Sequence, residues 1–393
     1  MSDAPPDSVQ ALRLVGTAHR LFERLRGAGM DKSGNREFLY PHYAALILLG
    51  FFNPAVQTLR GLQQASTLRS VQRRLGVGRV SLGSLSESVR VFDPALLVPL
   101  VEELLAGHGD RPGPGPRRTI PDTIPDALAR RLVAADGTAL RALPRIAAQG
   151  SQWKRHLHFR PLAGLPGSAV VADGLDERDA LSRTVEAGCV YLADRGYERY
   201  ALLNRIAAAG SDYVFRARDR PCAVQASRPV DEAGRAARVV SDDLVALSPG
   251  PSATRAEPLT HPVRRIVLAA RAAGRVRSDR PAADTVVLLT SLLDVPADVV
   301  AAVYELRWSI ELFFRFLKQM LGSHRLFSTR DAAAEIQIYC ALIACLLLAR
   351  VTGGRVTKDH WRMVMFYLQG WADDDELDAA IAKARQQLLS RTG

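Results

Sequence analysis

The sequence predicts a mixed α/β fold, with a helical region before it and a helical tail after it. Three observations lead to this prediction. Short runs typical of buried strands alternate with helical segments between residues 127 and 218, as they do in α/β domains. A strongly apolar strand, Thr285 to Leu293, follows a stretch rich in Pro, Gly and Arg. Helical periodicity occupies both ends of the chain.

Composition indicates a folded chain with a basic surplus. The 393 residues correspond to two or three domains at about 150 residues per domain. Hydrophobic residues make up 48% and charged residues 24%, which excludes a disordered chain and a disulfide-stapled miniprotein. The 52 Lys and Arg against 41 Asp and Glu leave a net charge of +11. A surplus of this sign favours a polyanionic partner, nucleic acid above all.

Cysteine usage and hydropathy predict a soluble cytoplasmic protein without a membrane segment. The four cysteines lie far apart and form no CxxC pair, which excludes a zinc ribbon and a disulfide framework. The first residues lack the basic and apolar regions of a secretory signal. The longest apolar run, Cys340 to Ala349, is shorter than the roughly 20 residues that span a bilayer. We expect a buried helix there.

The N-terminal region contains two short helical patterns around a glycine turn. Thr67 to Leu75 carries several arginines, a Gly-Val-Gly turn follows, and Ser84 is the expected cap of the next helix. Such a pair is compatible with a DNA-binding unit. The alternative is an ordinary helical hairpin with a solvated basic face.

Two aspartates occupy matching positions at the ends of predicted strands. Asp136 ends the run Leu132 to Ala135 and precedes Gly137, and Asp194 ends the run Cys189 to Ala193 and precedes Arg195-Gly196. If the strands are neighbours, the two carboxylates can share a divalent cation. The alternative is that an aspartate before glycine is simply a turn or cap residue.

A third acid lies on a basic helical stripe. The register that starts near Pro296 predicts one helix through Leu321. At about 100° per residue, Tyr304, Arg307, Glu311 and Lys318 fall within a stripe of roughly 60°. One carboxylate among groups that bind phosphate suits phosphoryl transfer on nucleic acid. The alternative is that Arg307 and Glu311 form an ordinary i,i+4 ion pair.

Together these motifs resemble those of a known family. The D-G-T at Asp136, the A-D-R-G-Y around Asp194 and the Y-x2-R-x3-E-x6-K from Tyr304 to Lys318 resemble a bacterial insertion-sequence transposase of the Asp-Asp-Glu type. The spacing is similar to the subgroup with a Tyr-Arg-Glu-Lys signature, and the resemblance covers roughly residues 30–350. It implies an RNase H-like catalytic core, a mixed sheet flanked by helices, with a β-rich insertion before the last catalytic helix.

The resemblance also implies the chemistry. Asp136, Asp194 and Glu311 would be the catalytic residues and the ligands of two Mg²⁺ ions, or of Mn²⁺ in their place. Oxygen ligands suit these hard cations, and two of them can activate the attacking group and stabilise the leaving oxygen. Tyr304, Arg307 and Lys318 would contact phosphates at the transposon ends. Arginines that are further candidates for lining the DNA channel are Arg195, Arg216 and Arg218. Each is equally well explained as an ordinary surface residue.

The implied function is transposition. The enzyme would cleave double-stranded DNA at terminal inverted repeats, transfer the strands into target DNA, and act as a homodimer on paired ends. The alternative is a catalytically silent or domesticated transposase-derived protein that binds DNA without cutting it.

The predicted parts of the chain are a helical N-terminal domain for end binding (1–110), a Pro/Gly linker (111–126), the first part of the core (127–218), the insertion (219–284), the second part with the catalytic helix (285–350) and a helical C-terminal region (351–393).

Two other groups of polar residues have simpler explanations. His156 and His158 share one strand face, but no third ligand lies at zinc spacing, so a DNA-facing or structural role is expected. Asp173, Asp176 and Asp179 are expected in a solvated loop and helix start, because aspartate stabilises helix N-termini.

Aromatic residues suggest packing surfaces. Trp308 lies among apolar residues and is expected in the core. A stripe in the tail either pairs two subunits or packs on the long helix Ala332 to Val351; its residues are Trp361, Met365, Leu368 and Trp371.

Overall fold

The fold is seen in a computed structural model of the chain. It describes residues 18, 20–27, 37–52, 56, 58–107, 121–139, 153–161, 165–173, 176–247, 257–270, 285–313, 331–352, 358–369 and 371–389. Lys318 and most of the predicted linker lie outside these residues, as do the side chains of His156 and Leu368.

The N-terminal region is helical, as predicted. After helical residues at 18 and 20–23, its helices are α1 (Tyr40–Phe52), α2 (Leu59–Ala65), α3 (Arg69–Leu75), α4 (Leu82–Val91) and α5 (Val98–Ala106), with a 3-10 turn at Pro94–Leu97 between the last two. Helix α3 ends at Gly76, whose φ of 62° is the left-handed conformation that favours glycine. The cap prediction was wrong by one turn. Ser81 accepts from the backbone N–H of Ser84, so α4 begins at Leu82.

The centre of the molecule is one mixed nine-stranded sheet. Its strands are β1 (Leu132–Ala139), β2 (Trp153–Arg160), β3 (Leu165–Asp173), β4 (Val190–Ala193), β5 (Asp212–Ala217), β6 (Ala223–Ser227), β7 (Val239–Ala246), β8 (Val263–Ala269) and β9 (Thr285–Thr290). They lie in the order β3-β2-β1-β4-β5-β9-β8-β7-β6. β1, β4 and β5 run parallel, and the other pairs are antiparallel.

Helices cover both faces of this sheet. The remaining helices are α6 (Asp126–Arg131), α7 (Glu177–Arg183), α8 (Tyr200–Ala208), α9 (Glu232–Ala236), α10 (Ala297–Glu305), α11 (308–313), α12 (Asp331–Thr352), α13 (Lys358–Gln369) and α14 (Asp374–Leu389), with a 3-10 turn at Arg195–Tyr197. The α/β prediction is therefore confirmed, and a mixed sheet with flanking helices fits an RNase H-like core.

Alternation along the strands creates two cores. Leu132, Ala134 and Leu192 pack in one core with α10, α11 and α12. Val133 and Tyr191 point to the other face and pack with α7 and α8. The period of two along a strand therefore assigns every central strand residue to one helix layer or the other.

Helix α12 is the buried helix expected from the apolar run. Residues 336–349 are all buried, and the helix contacts α1, α5, α14 and β3. Among the described residues, no helix combines the length and apolarity needed to cross a bilayer. In the tail, Trp361 packs in the same core as α12, whereas Trp371 follows the end of α13 and is 75% exposed.

The segment predicted as an insertion extends the sheet beyond β5. Inside it, the buried Arg264 forms a bidentate ion pair with Asp242, at 2.6 Å for each bond. The same guanidinium donates to the carbonyls of Leu292 and Val295, in the turn that leads into α10. The outer strands therefore hold the start of α10 in place.

The single helix expected from Pro296 to Leu321 is interrupted. α10 ends at Glu305, and residues 306–307 form a turn before α11. Backbone N–H groups of Arg307 and Ser309 donate three residues back, to Tyr304 and Leu306. The Ser309 hydroxyl also donates to the Leu306 carbonyl. Such bonding by serine competes with the regular helix bonds and bends helices.

Candidate active site at the carboxyl edge of the sheet

The two aspartates lie side by side. Asp194 follows the end of β4 as predicted, whereas Asp136 does not end its strand, because β1 pairs with β2 as far as Ala139. Parallel pairing joins Leu132 to Val190, Val133 to Tyr191 and Ala134 to Leu192. Each pair differs by 58 positions (190 − 132 = 58), and the same offset aligns Asp136 with Asp194 (136 + 58 = 194). Neighbouring strands are about 4.8 Å apart. Register and alternation therefore bring both carboxylates to one edge of the sheet, on the face that α11 covers.

Asp194 is held by a tight turn. Its side chain caps the 3-10 turn Arg195–Tyr197, because Oδ1 accepts from the Gly196 N–H at 2.8 Å. A side chain at residue 196 would crowd this carboxylate, because its Cβ would lie 3.0 Å from Oδ1. Glycine avoids this contact. Tyr197 is buried behind the turn. The A-D-R-G-Y motif is therefore a strand end that orients one carboxylate.

Glu311 reaches the same edge from α11. The buried Ile310 and Phe313 hold α11 on the sheet, and the Phe313 ring lies 5.1 Å from the ring of Phe159. Phe159 pairs with Ala134, two residues before Asp136. Arg307 Nη2 donates to Glu311 Oε1 at 2.6 Å. The i,i+4 ion pair considered from the sequence is thus present.

Electrostatics links these side chains. The pKa of the Asp136 carboxyl is raised from 3.8 to about 7, mainly by burial; Arg307 lowers this pKa, and the carboxylates of Asp194, Glu311 and Glu177 contribute to raising it. The charges of these side chains therefore act on Asp136, and such interactions weaken with distance. The described residues nevertheless include no group of three or more His, Cys, Asp or Glu side chains placed to hold a metal ion.

Three of the predicted DNA contacts cluster beside the acids. The Arg307 guanidinium lies 5.8 Å from the centre of the Tyr304 ring. Burial raises the pKa of the Tyr304 hydroxyl, and the nearby charges of Arg307 and Arg216 lower it. Arg216 lies on β5, opposite Leu288 of β9. Tyr304, Arg307 and Arg216 thus form one basic and aromatic group next to Asp194.

The other candidates have different surroundings. Arg195 and Arg218 are exposed, and the backbone N–H of Arg218 donates to Glu198. Trp308 is 45% exposed, so the expectation of core packing was wrong. His158 is buried against Tyr191 and hydrogen-bonded to Thr184, which supports the structural interpretation.

Glu177 was missed at the sequence level. Asp176 caps α7, and Asp179 pairs with Arg199 at 2.8 Å, as expected for a solvated helix start. Glu177 lies between them and is close to Asp136 and Gly196. Nothing in the local pattern separates one acid of this run from its neighbours, because their difference depends on what α7 faces.

Comparison with known proteins identifies relatives of this chain. A family model described as a transposase DDE domain matches residues 128–347, more than half of the chain. The transposase y4zB of Sinorhizobium fredii is 32% identical over 200 residues, which cover 50% of this chain and 52% of that protein. A transposase for insertion sequence element IS5377 of Geobacillus stearothermophilus is 26% identical over 196 residues, 50% of this chain and 48% of that protein. The chain thus spans about half the length of these curated relatives.

Among solved structures, the cryo-EM structure of a piggyBac transposase synaptic complex with hairpin DNA aligns with 96% of this chain and 81% of that chain. The TM-score is 0.41 and the identity 12%.

The raised pKa of Asp136 predicts a pH dependence of stability without metal. Between pH 3.8 and about 7 the folded protein holds a proton on this carboxyl that the unfolded chain has lost. The free energy of unfolding should therefore fall as pH rises through this window and then level off, by a few kcal/mol at most.

Chemical denaturation in EDTA between pH 4 and 8 measures this effect. The Asp136→Asn variant should lack this part of the decline, so that its stability relative to the unmodified protein rises with pH. Parallel curves for the two proteins would contradict the assignment.

Proposed function

This chain belongs to the family of transposases with a DDE domain, and from that premise we propose that it cleaves DNA at the ends of an insertion sequence and joins them to target DNA. The observation that carries the proposal is the strand register, which aligns Asp136 with Asp194. Both aspartates lie on the face and at the edge of the sheet where α11 carries Glu311. Its place of action would be DNA at the bacterial nucleoid, in the cytoplasm.

Divalent cations are part of this proposal. Transposases of this family generally use them, and the three carboxylates offer the oxygen ligands that Mg²⁺ and Mn²⁺ prefer. Asp136, Asp194 and Glu311 would hold two such ions. When bound, the ions would favour deprotonation of the attacking water or 3′-hydroxyl and stabilise the leaving oxygen. Glu311 would then exchange its present partner Arg307 for a cation.

The basic residues would bind and orient the DNA backbone. Released from Glu311, Arg307 can donate to a phosphate through two N–H groups at once. The Tyr304 ring lies 5.8 Å from this guanidinium, and Arg216 adds a second guanidinium to this group. Lys318 follows on the same predicted stripe, and the exposed Arg195 and Arg218 would extend the contact along the channel.

The N-terminal helices would bind the terminal inverted repeats. Around the turn at Gly76, the exposed side chains of this region are strongly basic; they include Arg60, Arg69, Arg73, Arg79 and Arg90. Phosphate contacts of this kind provide affinity and set register on DNA. The alternative function, a silent DNA-binding protein derived from a transposase, shares these contacts and differs only at the acids. A cleavage assay therefore separates the two.

The first prediction of this proposal concerns the acids. Each of the variants Asp136→Asn, Asp194→Asn and Glu311→Gln should lose Mg²⁺-dependent cleavage of DNA that carries the native ends. The loss should reach about 100-fold or more, since even residues that only support metal ligands contribute 10–100-fold.

End binding by these variants, measured by electrophoretic mobility shift, should stay close to that of the unmodified protein. Asp179→Asn is the matched control, because Asp179 is an exposed acid that pairs with Arg199. Retained cleavage in one of the three variants would remove that residue from the site. Binding without cleavage by the unmodified protein, in Mg²⁺ and in Mn²⁺, would favour the silent alternative.

A second prediction concerns phosphate contacts. Arg307→Gln and Lys318→Gln should each weaken DNA binding and reduce the slope of log affinity against log salt, by about 0.9 per lost contact on duplex DNA. Fluorescence anisotropy at several salt concentrations measures this slope. Arg362→Gln is the control, since Arg362 lies on α13 and pairs with Asp359. Unchanged slopes for both variants would mean that the stripe does not face DNA.

A third prediction concerns assembly. Two ends require two active sites, so we expect a homodimer on paired ends, with repulsion between basic chains reduced by the bound phosphates. Trp361 is buried in its own core, so the exposed Trp371, stacked on Phe366 at 5.6 Å, is the better candidate for the interface.

Trp371→Ala should weaken dimer formation on end DNA by about tenfold or more, as loss of an interface tryptophan commonly does. Mass photometry with and without DNA measures the dimer fraction. Val240→Ala, at an exposed apolar residue on β7, is the control. Equal dimer fractions for the two variants would exclude this surface.

A further inference from the structure

Glu177 lies near Asp194 and Asp136. A Cβ built on residue 196 would be 3.0 Å from Asp194 Oδ1 and 3.8 Å from Glu177 Oε2. The two carboxylate oxygens are therefore at most 6.8 Å apart (3.0 + 3.8 = 6.8). A cation between them, at the 2.0–2.6 Å that Mg²⁺ and Ca²⁺ keep from oxygen, needs a separation of roughly 3–5 Å. This range lies within the upper limit of 6.8 Å that the two distances set.

Glu177 approaches from the face opposite to Glu311. Helix α7 packs through Leu181 with Val133 and Tyr191, and it contacts β1 and the turn after Asp194. Helix α11 packs on the other face, through Ile310 and Phe313. The two aspartates lie on the sheet between these helices. Acidic side chains therefore approach them from both helix layers.

The acids next to Glu177 have other roles. Asp176 caps α7 and pairs with Arg178 at 2.6 Å, and Asp179 pairs with Arg199. The charge of Glu177 acts on the carboxyl of Asp136, whose pKa it helps to raise. It also acts on the hydroxyl of Tyr197, which lies just behind Asp194. Four neighbouring carboxylates repel one another, and a divalent cation would turn this repulsion into attraction.

We propose that Glu177 is a fourth acidic ligand of the cation site formed by Asp136, Asp194 and Glu311, either directly or through a bound water. This inference rests on the proposed function, which supplies the cation. The simpler role for Glu177 is that of an acid in the first turn of a helix, which affects helix stability by roughly 0.3–1 kcal/mol and leaves cation affinity unchanged.

The test is a Mn²⁺ titration of the full-length protein without DNA, in which the electron paramagnetic resonance signal counts free Mn²⁺. Glu177→Gln should weaken Mn²⁺ binding by about 10–100-fold. Asp136→Asn should do at least the same. The matched control is Glu186→Gln, because Glu186 follows the far end of α7, is exposed and pairs with Arg160. Its affinity should equal that of the unmodified protein.

The outcomes are separable. If Glu177→Gln binds Mn²⁺ like Glu186→Gln while Asp136→Asn does not bind, the inference on Glu177 is wrong and the proposed function stands. If Asp136→Asn also leaves binding unchanged, the cation site itself is wrong, and the inference fails with it. Circular dichroism in EDTA checks folding.

If the Glu177→Gln variant fails to fold, the Mn²⁺ affinity of the Glu177→Asp variant tests the proposal in its place. It retains the charge but withdraws the carboxylate by one methylene, so Mn²⁺ affinity should fall by about tenfold if the group is a ligand. An unchanged affinity would overturn the proposal.

Discussion

The parallel pairing of β1 with β4 is the constraint on which the rest of the structure depends. A parallel pair cannot be joined by a tight turn, so the chain needs a long crossover between the two strands. Here the crossover contains β2, β3 and α7, which widen the sheet on one side and add a helix to one face. The same pairing, through its offset of 58 residues, aligns Asp136 with Asp194 (194 − 136 = 58). Sheet architecture and the candidate site thus share one cause.

Burial of like charges is the cost of this arrangement. Asp136 lies where desolvation and three other carboxylates all oppose its ionisation. A stable fold tolerates such a group when protons, counter-ions or ligands neutralise it. Arg307 provides part of that neutralisation through its ion pair with Glu311. Buried acids that a neighbouring positive charge neutralises only in part are common at functional sites, where pKa values depart from their ordinary range.

The outer strands have a supporting role that begins with a buried charge. Arg264 pairs with Asp242 in the interior and donates to two carbonyls of the turn before α10. Removing one partner of such a pair leaves an uncompensated buried charge, which typically costs about 3–5 kcal/mol. The pair therefore fixes how α10 leaves the sheet. Because α11 follows α10 after two residues, the position of Glu311 depends on strands that carry none of the predicted site residues.

The sequence by itself determined the fold class and the motifs. Strand runs with a period of two, the apolar run in α12 and the residues around the two aspartates are local patterns, and local patterns reflect local backbone preferences and burial. For the same reason Asp136, Asp194 and Glu311 could be selected from the motifs that surround them. The tertiary structure decided the rest. It extended β1 past Asp136, exposed Trp308, interrupted the helix at residues 306–307, buried Trp361 in its own core and placed Glu177 near Asp136. These features depend on which surfaces meet across long sequence separations, and no periodicity within one segment encodes the neighbour that segment will face.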